Sequence, residues 1–85
     1  MRDIIFSKQS QRIINKLLKS DPKLIKLILN KINLLKLNPI IPDSKKLKNR
    51  QDYRIRVRNY RIIYEFDDNS LYIIIIDKRG QVYKS

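Results

Sequence analysis

The sequence predicts an α+β fold, a small, twisted, mostly antiparallel β-sheet with an N-terminal αα-hairpin packed on one of its faces. Three observations predict it. Apolar residues recur at helical spacing through the first half, broken only at Ser20-Asp21-Pro22. In Tyr53-Arg54-Ile55-Arg56-Val57-Arg58 apolar and basic residues alternate strictly, the period of a strand with two unlike faces. Between the two halves, Asn38-Pro39-Ile40-Ile41-Pro42-Asp43 cannot continue a helix, because each proline removes a donor and restricts the residue before it.

Taken in order, Arg2 to Phe6 is a short β-rich run, ended at Ser7, a fair helix N-cap. From Lys8 to Lys19 the residues Ile13, Ile14, Leu17 and Leu18 form one apolar side, with Arg12, Lys16 and Lys19 largely elsewhere. Asp21 then caps a second helix, with Pro22 at its first position, where a missing N–H costs nothing, and the helix runs to about Leu37. Its apolar set (Leu24, Ile25, Leu27, Ile28, Leu29, Ile32, Leu34 and Leu35) is wider than one stripe, so this helix is expected to lie deeper, against both the sheet and the first helix. A basic amphipathic pair can also serve as a membrane-surface or partner-binding element, but the β-rich half needs a cover and these helices are the only candidates, so packing explains them.

Ser44 to Asp52 is read as a basic loop leading into the hairpin. Within the hairpin, Tyr53, Ile55 and Val57 share the core face and Arg54, Arg56 and Arg58 the other. A loop of two residues (Arg58, Asn59) or of four places Arg56 opposite Arg61 and Ile55 opposite Ile62. Two like charges then face each other across strands, an unfavourable pair unless a polyanion lies over it. Tyr53, Tyr60 and Tyr64 are expected to be packing residues. Asp67-Asp68-Asn69-Ser70 is a turn by composition, Leu71 to Ile76 is apolar throughout as expected of a central strand covered on both faces, and Gly80 stands where a tight bend is needed.

Eighty-five residues suit a single domain, 1–85, with one modest core. Cysteine and histidine are both absent, which removes disulfides, ordinary zinc sites and imidazole acid–base chemistry from the options. A formal charge of +12 calls for an anionic partner, discounted for a lysine-, isoleucine- and asparagine-rich composition of the kind AT-rich coding produces. The arginines say more than the total: six of eight (Arg50, Arg54, Arg56, Arg58, Arg61 and Arg79) lie in 50–85. No apolar run reaches the ~18 residues that span a bilayer, and the N-terminus lacks a signal-peptide core, so the expectation is a cytoplasmic protein without a membrane partner.

Leu47, Tyr53-Arg54-Ile55-Arg56-Val57, Tyr60-Arg61-Ile62-Ile63-Tyr64 and Arg79-Gly80-Gln81-Val82-Tyr83 together resemble the C-terminal half of the RelE/ParE superfamily of type II toxin–antitoxin toxins. The likeness is strongest over Lys45 to Lys84, and the strand–helix–helix opening agrees with that fold. The resemblance implies the RelE activity, cleavage of messenger RNA in the ribosomal A site with no metal and no cofactor. Such cleavage needs a base for the 2′-OH, cations for the charge developing on phosphate, and help for the leaving 5′-oxygen.

Arg56, Arg61 and Arg79 suit the second task, since guanidinium stays protonated and pairs with phosphate through two parallel hydrogen bonds. Tyr83, in the family's closing motif, is the candidate base or a stacking platform, and Lys78, where many relatives carry histidine, the candidate acid. Arg54, Arg58, Lys46, Lys48 and Arg50 are the expected RNA contacts. A cognate antitoxin is implied as partner, with a flexible segment folding over the helices and the sheet edge. Two other readings stay open: a ParE-like chain that binds DNA gyrase, and a non-catalytic relative that binds RNA or an antitoxin.

Overall fold

The computed structural model describes residues 2–47 and 51–78. In chain order the elements are β1 (Asp3–Phe6), α1 (Lys8–Ser20), α2 (Pro22–Leu37), β2 (Lys45–Lys46), β3 (Tyr53–Val57), β4 (Tyr60–Phe66) and β5 (Ser70–Lys78). The five strands form one sheet in the order β1-β5-β4-β3-β2, with β1 parallel to β5 and every other pairing antiparallel. This is the expected α+β architecture with one addition, since part of the basic loop pairs with β3 as a two-residue edge strand.

Both helix starts form where their capping residues stand. The Ser7 hydroxyl accepts from the Ser10 N–H at 3.0 Å, and the Asp21 carboxylate accepts from Leu24 N–H at 3.2 Å. Asp21 is also the residue that ends α1, its N–H donating to the Leu17 carbonyl at 2.8 Å, so one residue turns the chain between the helices.

The core lies between the helices and one face of the sheet. It joins Ile14 and Leu17 of α1 and Leu24, Ile25, Ile28, Ile32 and Leu35 of α2 to Ile55, Val57, Ile62, Tyr64, Leu71, Ile73 and Ile76 of the strands. The apolar faces differ from expectation at their margins. On α1 the buried stripe runs through Ser10, Ile14 and Leu17 and leaves Leu18 exposed. Ser10 is tolerated there because its hydroxyl lies within hydrogen-bonding reach of the Ser7 and Ile73 carbonyls. On α2 one stripe is buried, while Leu27, Leu34 and Leu37 are exposed on its flank.

The tyrosines pack as expected. Tyr53 stacks on Tyr64 with ring centroids 5.8 Å apart and touches Phe66 at 5.3 Å. The buried Tyr64 hydroxyl donates to the Pro39 carbonyl at 2.6 Å and lies 2.8 Å from the Ser44 hydroxyl, pinning the loop after α2 to the sheet. Burial pushes its pKa above the usual tyrosine value, a rise the Ser44 hydrogen bond partly offsets.

β5 is central, as expected, but its second face is only half-buried at Tyr72, Ile74 and Ile75, because no helix lies there. Its pairing with β4 contains a β-bulge. Tyr64 pairs with Ile73 and Ile63 with Ile75, which leaves Ile74 as the extra residue. The β1 side of the sheet holds this irregularity in place: Ser7 N–H donates to the Ile73 carbonyl at 2.9 Å and Ser7 Oγ to the Ile74 carbonyl at 2.6 Å. The Gln9 side-chain amide then both donates to the Ile76 carbonyl, at 2.8 Å, and accepts from the Ile76 N–H, at 3.0 Å. Gln9 thus stands in for a strand residue after β1 has ended.

Candidate nucleic-acid interface on the helix-free face

The β3–β4 hairpin has a two-residue loop, Arg58-Asn59, so Val57 pairs with Tyr60, Arg56 with Arg61 and Ile55 with Ile62. The expected register holds. Because directly opposed residues share a face, Arg56 and Arg61 lie together on the face away from the helices. Across the next pairing, Arg61 stands opposite Asp77 of β5, and Arg54 belongs to a parallel row with Lys45 of β2, Ile63 of β4 and Ile75 of β5.

These cations are not equivalent. Arg56 is exposed and Arg54 half-buried, whereas Arg61 is only 5 % exposed. The Arg61 guanidinium forms an ion pair with the Asp77 carboxylate: Nη2 donates to Oδ2 at 3.4 Å, while Nε lies 3.4 Å from Oδ1 without hydrogen-bond geometry. The expected uniform cationic stripe is therefore a graded one, open at Arg56 and closed at Arg61. Beside it, Pro42, Asp43, Lys45, Arg54, Ile55 and Arg56 line a shallow depression of about 420 Å³ at the edge where β2 stops short of covering β3.

Other sequence-predicted residues are not brought to this face. Arg58 lies in the turn, not in the strand, with φ of 56°, and lines a different hollow with Asp21, Lys23, Leu24, Leu27 and Asn59 near the start of α2. Lys46 pairs with Tyr53 and so belongs to the helix side at the exposed sheet edge. Lys78 pairs with Tyr60 and lines a cavity with Gln9, Ile13, Lys16 and Leu17, again on the helix side. In each case strand alternation decides the outcome, since neighbouring residues point to opposite faces. Lys48, Arg50, Arg79, Gly80 and Tyr83 lie outside the described residues.

Sequence reasoning missed Lys45 and Asp77. Lys45 joins the face through a two-residue strand with no propensity signal of its own. Asp77 is visible only through the bulge. Extending the Phe66–Leu71 frame without it sets Arg61 opposite Ile76 and turns Asp77 to the helix side; the extra residue at Ile74 brings Asp77 across from Arg61. Chemically the face offers guanidinium groups for bidentate pairing with phosphate, one of them already held by a carboxylate. Among the described residues no three acidic side chains gather as metal ligands would. No helix in the described residues is long and apolar enough to cross a membrane.

The fold and this face define a class, the small β-sheet toxins of type II toxin–antitoxin systems. The model for the ParE toxin of such systems matches residues 4–83, and the chain belongs to that family, within the RelE/ParE superfamily. Among solved structures, the YoeB dimer from Staphylococcus aureus is 25% identical, with a TM-score of 0.80 over 92% of this chain and 97% of that one. The archaeal RelE in its complex with RelB from Pyrococcus horikoshii OT3 is also 25% identical, with a TM-score of 0.72 over 94% of this chain and 97% of that one. The H87Q mutant of YafQ from E. coli, 19% identical with a TM-score of 0.77 over 98% and 99%, shares the fold. No match was found among curated proteins.

Proposed function

We propose that this toxin is an endoribonuclease that cuts messenger RNA in the ribosomal A site, in the cytoplasm, without a metal or cofactor, and so arrests translation and growth. The observation that carries the reading is the gathering of Lys45, Arg54, Arg56 and Arg61 on one face of the sheet, away from the helices. Arg56 and Arg54 meet the RNA backbone first, being the more open. Arg61 and Arg79 stabilise the charge that develops on the scissile phosphate, and Tyr83 takes the 2′-OH proton or stacks on a base. Lys78, on the helix side of β5, has no described path to this face, so the proton for the leaving oxygen is assigned to no residue here.

The partner in this reading is an antitoxin with an acidic, flexible segment, in keeping with the solved complexes of YoeB with YefM and of RelE with RelB. A free chain of charge +12 binds RNA indiscriminately, and such a segment masks the basic face until it is removed.

A translation-coupled cleavage assay tests the proposal. Wild-type protein is expected to cut ribosome-bound message, Arg56→Ala to lower the rate on the order of 10²-fold, and Tyr83→Phe to reduce it as well. Arg56 is the better probe of the face than Arg61, since its exposed side chain can be removed without disturbing the interior. The ParE description of the family model favours a second reading, in which the arginines are contacts to DNA gyrase. Intact messages together with inhibited DNA supercoiling would establish that reading instead.

A further inference from the structure

Arg61, central to the proposed chemistry, is closed off in the structure. Its side chain is 6% exposed and that of Asp77 14%; Nη2 donates to Asp77 Oδ2 at 3.4 Å, while Nε lies 3.4 Å from Oδ1 without hydrogen-bond geometry. Charge-assisted hydrogen bonds between such groups ordinarily close to about 2.7–2.9 Å. Asp77 therefore holds the guanidinium by one long hydrogen bond and a second contact that is not one, where a phosphate can engage both arms. The row is Arg56–Arg61–Asp77, with Ile63 and Ile75 paired beside it on the same face, so the carboxylate sits at the inner end of a cationic row whose outer end is open.

We infer that Asp77 is an internal counter-ion that occupies Arg61 while no RNA is bound and yields it to a backbone phosphate when RNA arrives. This rests on the RNA-binding reading above and deepens it: Asp77 is a positioning residue that sets how readily Arg61 engages the substrate. The carboxylate also relieves the like-charge opposition of Arg56 and Arg61, which keeps the row in place without a polyanion. An incoming phosphate bidentate with Arg61 displaces Asp77, and Arg56, directly across the strand, is placed to share the same phosphate or its neighbour. The bulge at Ile74 is what makes this possible, and Ser7 and Gln9 hold the strand around it.

The experiment measures binding of a single-stranded RNA oligonucleotide by fluorescence anisotropy across a salt series, with no ribosome present. Asp77→Asn keeps the shape and removes the competing charge. It is expected to bind several-fold more tightly, with the slope of log K against log salt nearly unchanged, because Arg61 meets the same phosphate in both proteins and only the competing carboxylate is gone. Glu65→Gln makes the same charge change on the same face away from Arg61 and is expected to bring no comparable gain in affinity. In an Arg61→Gln background, Asp77→Asn is expected to bring no gain.

An unchanged affinity in Asp77→Asn, an equal gain in Glu65→Gln, or a gain that survives without Arg61 overturns the inference. Should Asp77→Asn fail to fold, the wild-type chain decides. Its Arg61 Nε–H resonance is expected to shift as the RNA is added, and a fixed resonance at saturation overturns the exchange. A chain that binds RNA through this exchange yet cuts no message overturns the nuclease reading alone. Absence of RNA binding in both wild type and Asp77→Asn overturns both.

Discussion

Arg61 and Ile62 are consecutive residues of β4, both almost fully buried, and they are buried in opposite ways. Ile62 stands in the row Ile55–Ile62–Ile76, under the helices, where the three side chains are 0–1% exposed. Arg61 stands in the row Arg56–Arg61–Asp77, on the face without helices, with a carboxylate as its ion-pair partner. The first row gains from every apolar contact it makes. The second must offset the desolvation of a charge, so its partner matters more than its packing.

Substitutions in the two rows put this contrast to the test. Ile62→Ala is expected to cost about 2–5 kcal/mol, the usual range for a cavity in a closed core, read from urea denaturation. Arg61→Ala, which strands Asp77 near the strand end, is expected to cost about 3 kcal/mol, and the double variant Arg61→Ala with Asp77→Ala to recover part of that. If Arg61→Ala proved as neutral as a surface change, the two rows would not differ in the way described. Gln9→Ala removes two hydrogen bonds to Ile76 and is expected to cost about 1–2 kcal/mol, with faster hydrogen exchange at the Ile76 amide and without an equal change at Ile62.

The smallest effect concerns the turn that joins β4 to β5 and so sets the frame of both rows. Hydrogen bonds from the Asn69 and Ser70 backbone N–H groups, 2.8 Å each to Asp67 Oδ1, hold the Asp67 carboxyl below the usual aspartate range. With the folded value depressed, its stabilisation is present above the unfolded pKa of about 4 and is lost as pH falls through the folded value. Asp67→Asn, which keeps a side-chain oxygen for the turn, is expected to flatten the acid limb of a stability–pH curve below about pH 4 by slightly lowering stability at neutral pH, with stability in acid nearly unchanged.

Much of this was legible along the chain because it is local. Ser7, Asp21 and Pro22 announce their helix starts, and the alternation from Tyr53 to Val57 with a loop at Arg58-Asn59 fixes which residues of the hairpin face each other. The margins of the helix faces were less legible. Leu18, Leu27 and Leu34 match Ile14 and Ile28 in hydropathy, and only the position of the sheet says which of them it covers. Ser10 is the converse case, a polar residue at the centre of a buried stripe because a carbonyl of β5 waits opposite it. Lys46 and Lys78 were legible as candidates but not as to side: strand pairing sets them beside Tyr53 and Tyr60, which a residue-by-residue reading does not reveal when the period is two.

By itself, then, the sequence determined the α+β class, the order of helices and strands, and the placing of Arg56 across from Arg61. Those depend on periodicity, capping and turn length, which act over a few residues. Only the tertiary structure decided that Arg61 is closed by Asp77. That contact depends on one extra residue at Ile74, and whether a strand admits a bulge is settled by what its neighbours can satisfy. Here the neighbours are Ser7 and Gln9, more than sixty residues away in the chain, whose side chains bond the backbone of β5 where β1 has ended.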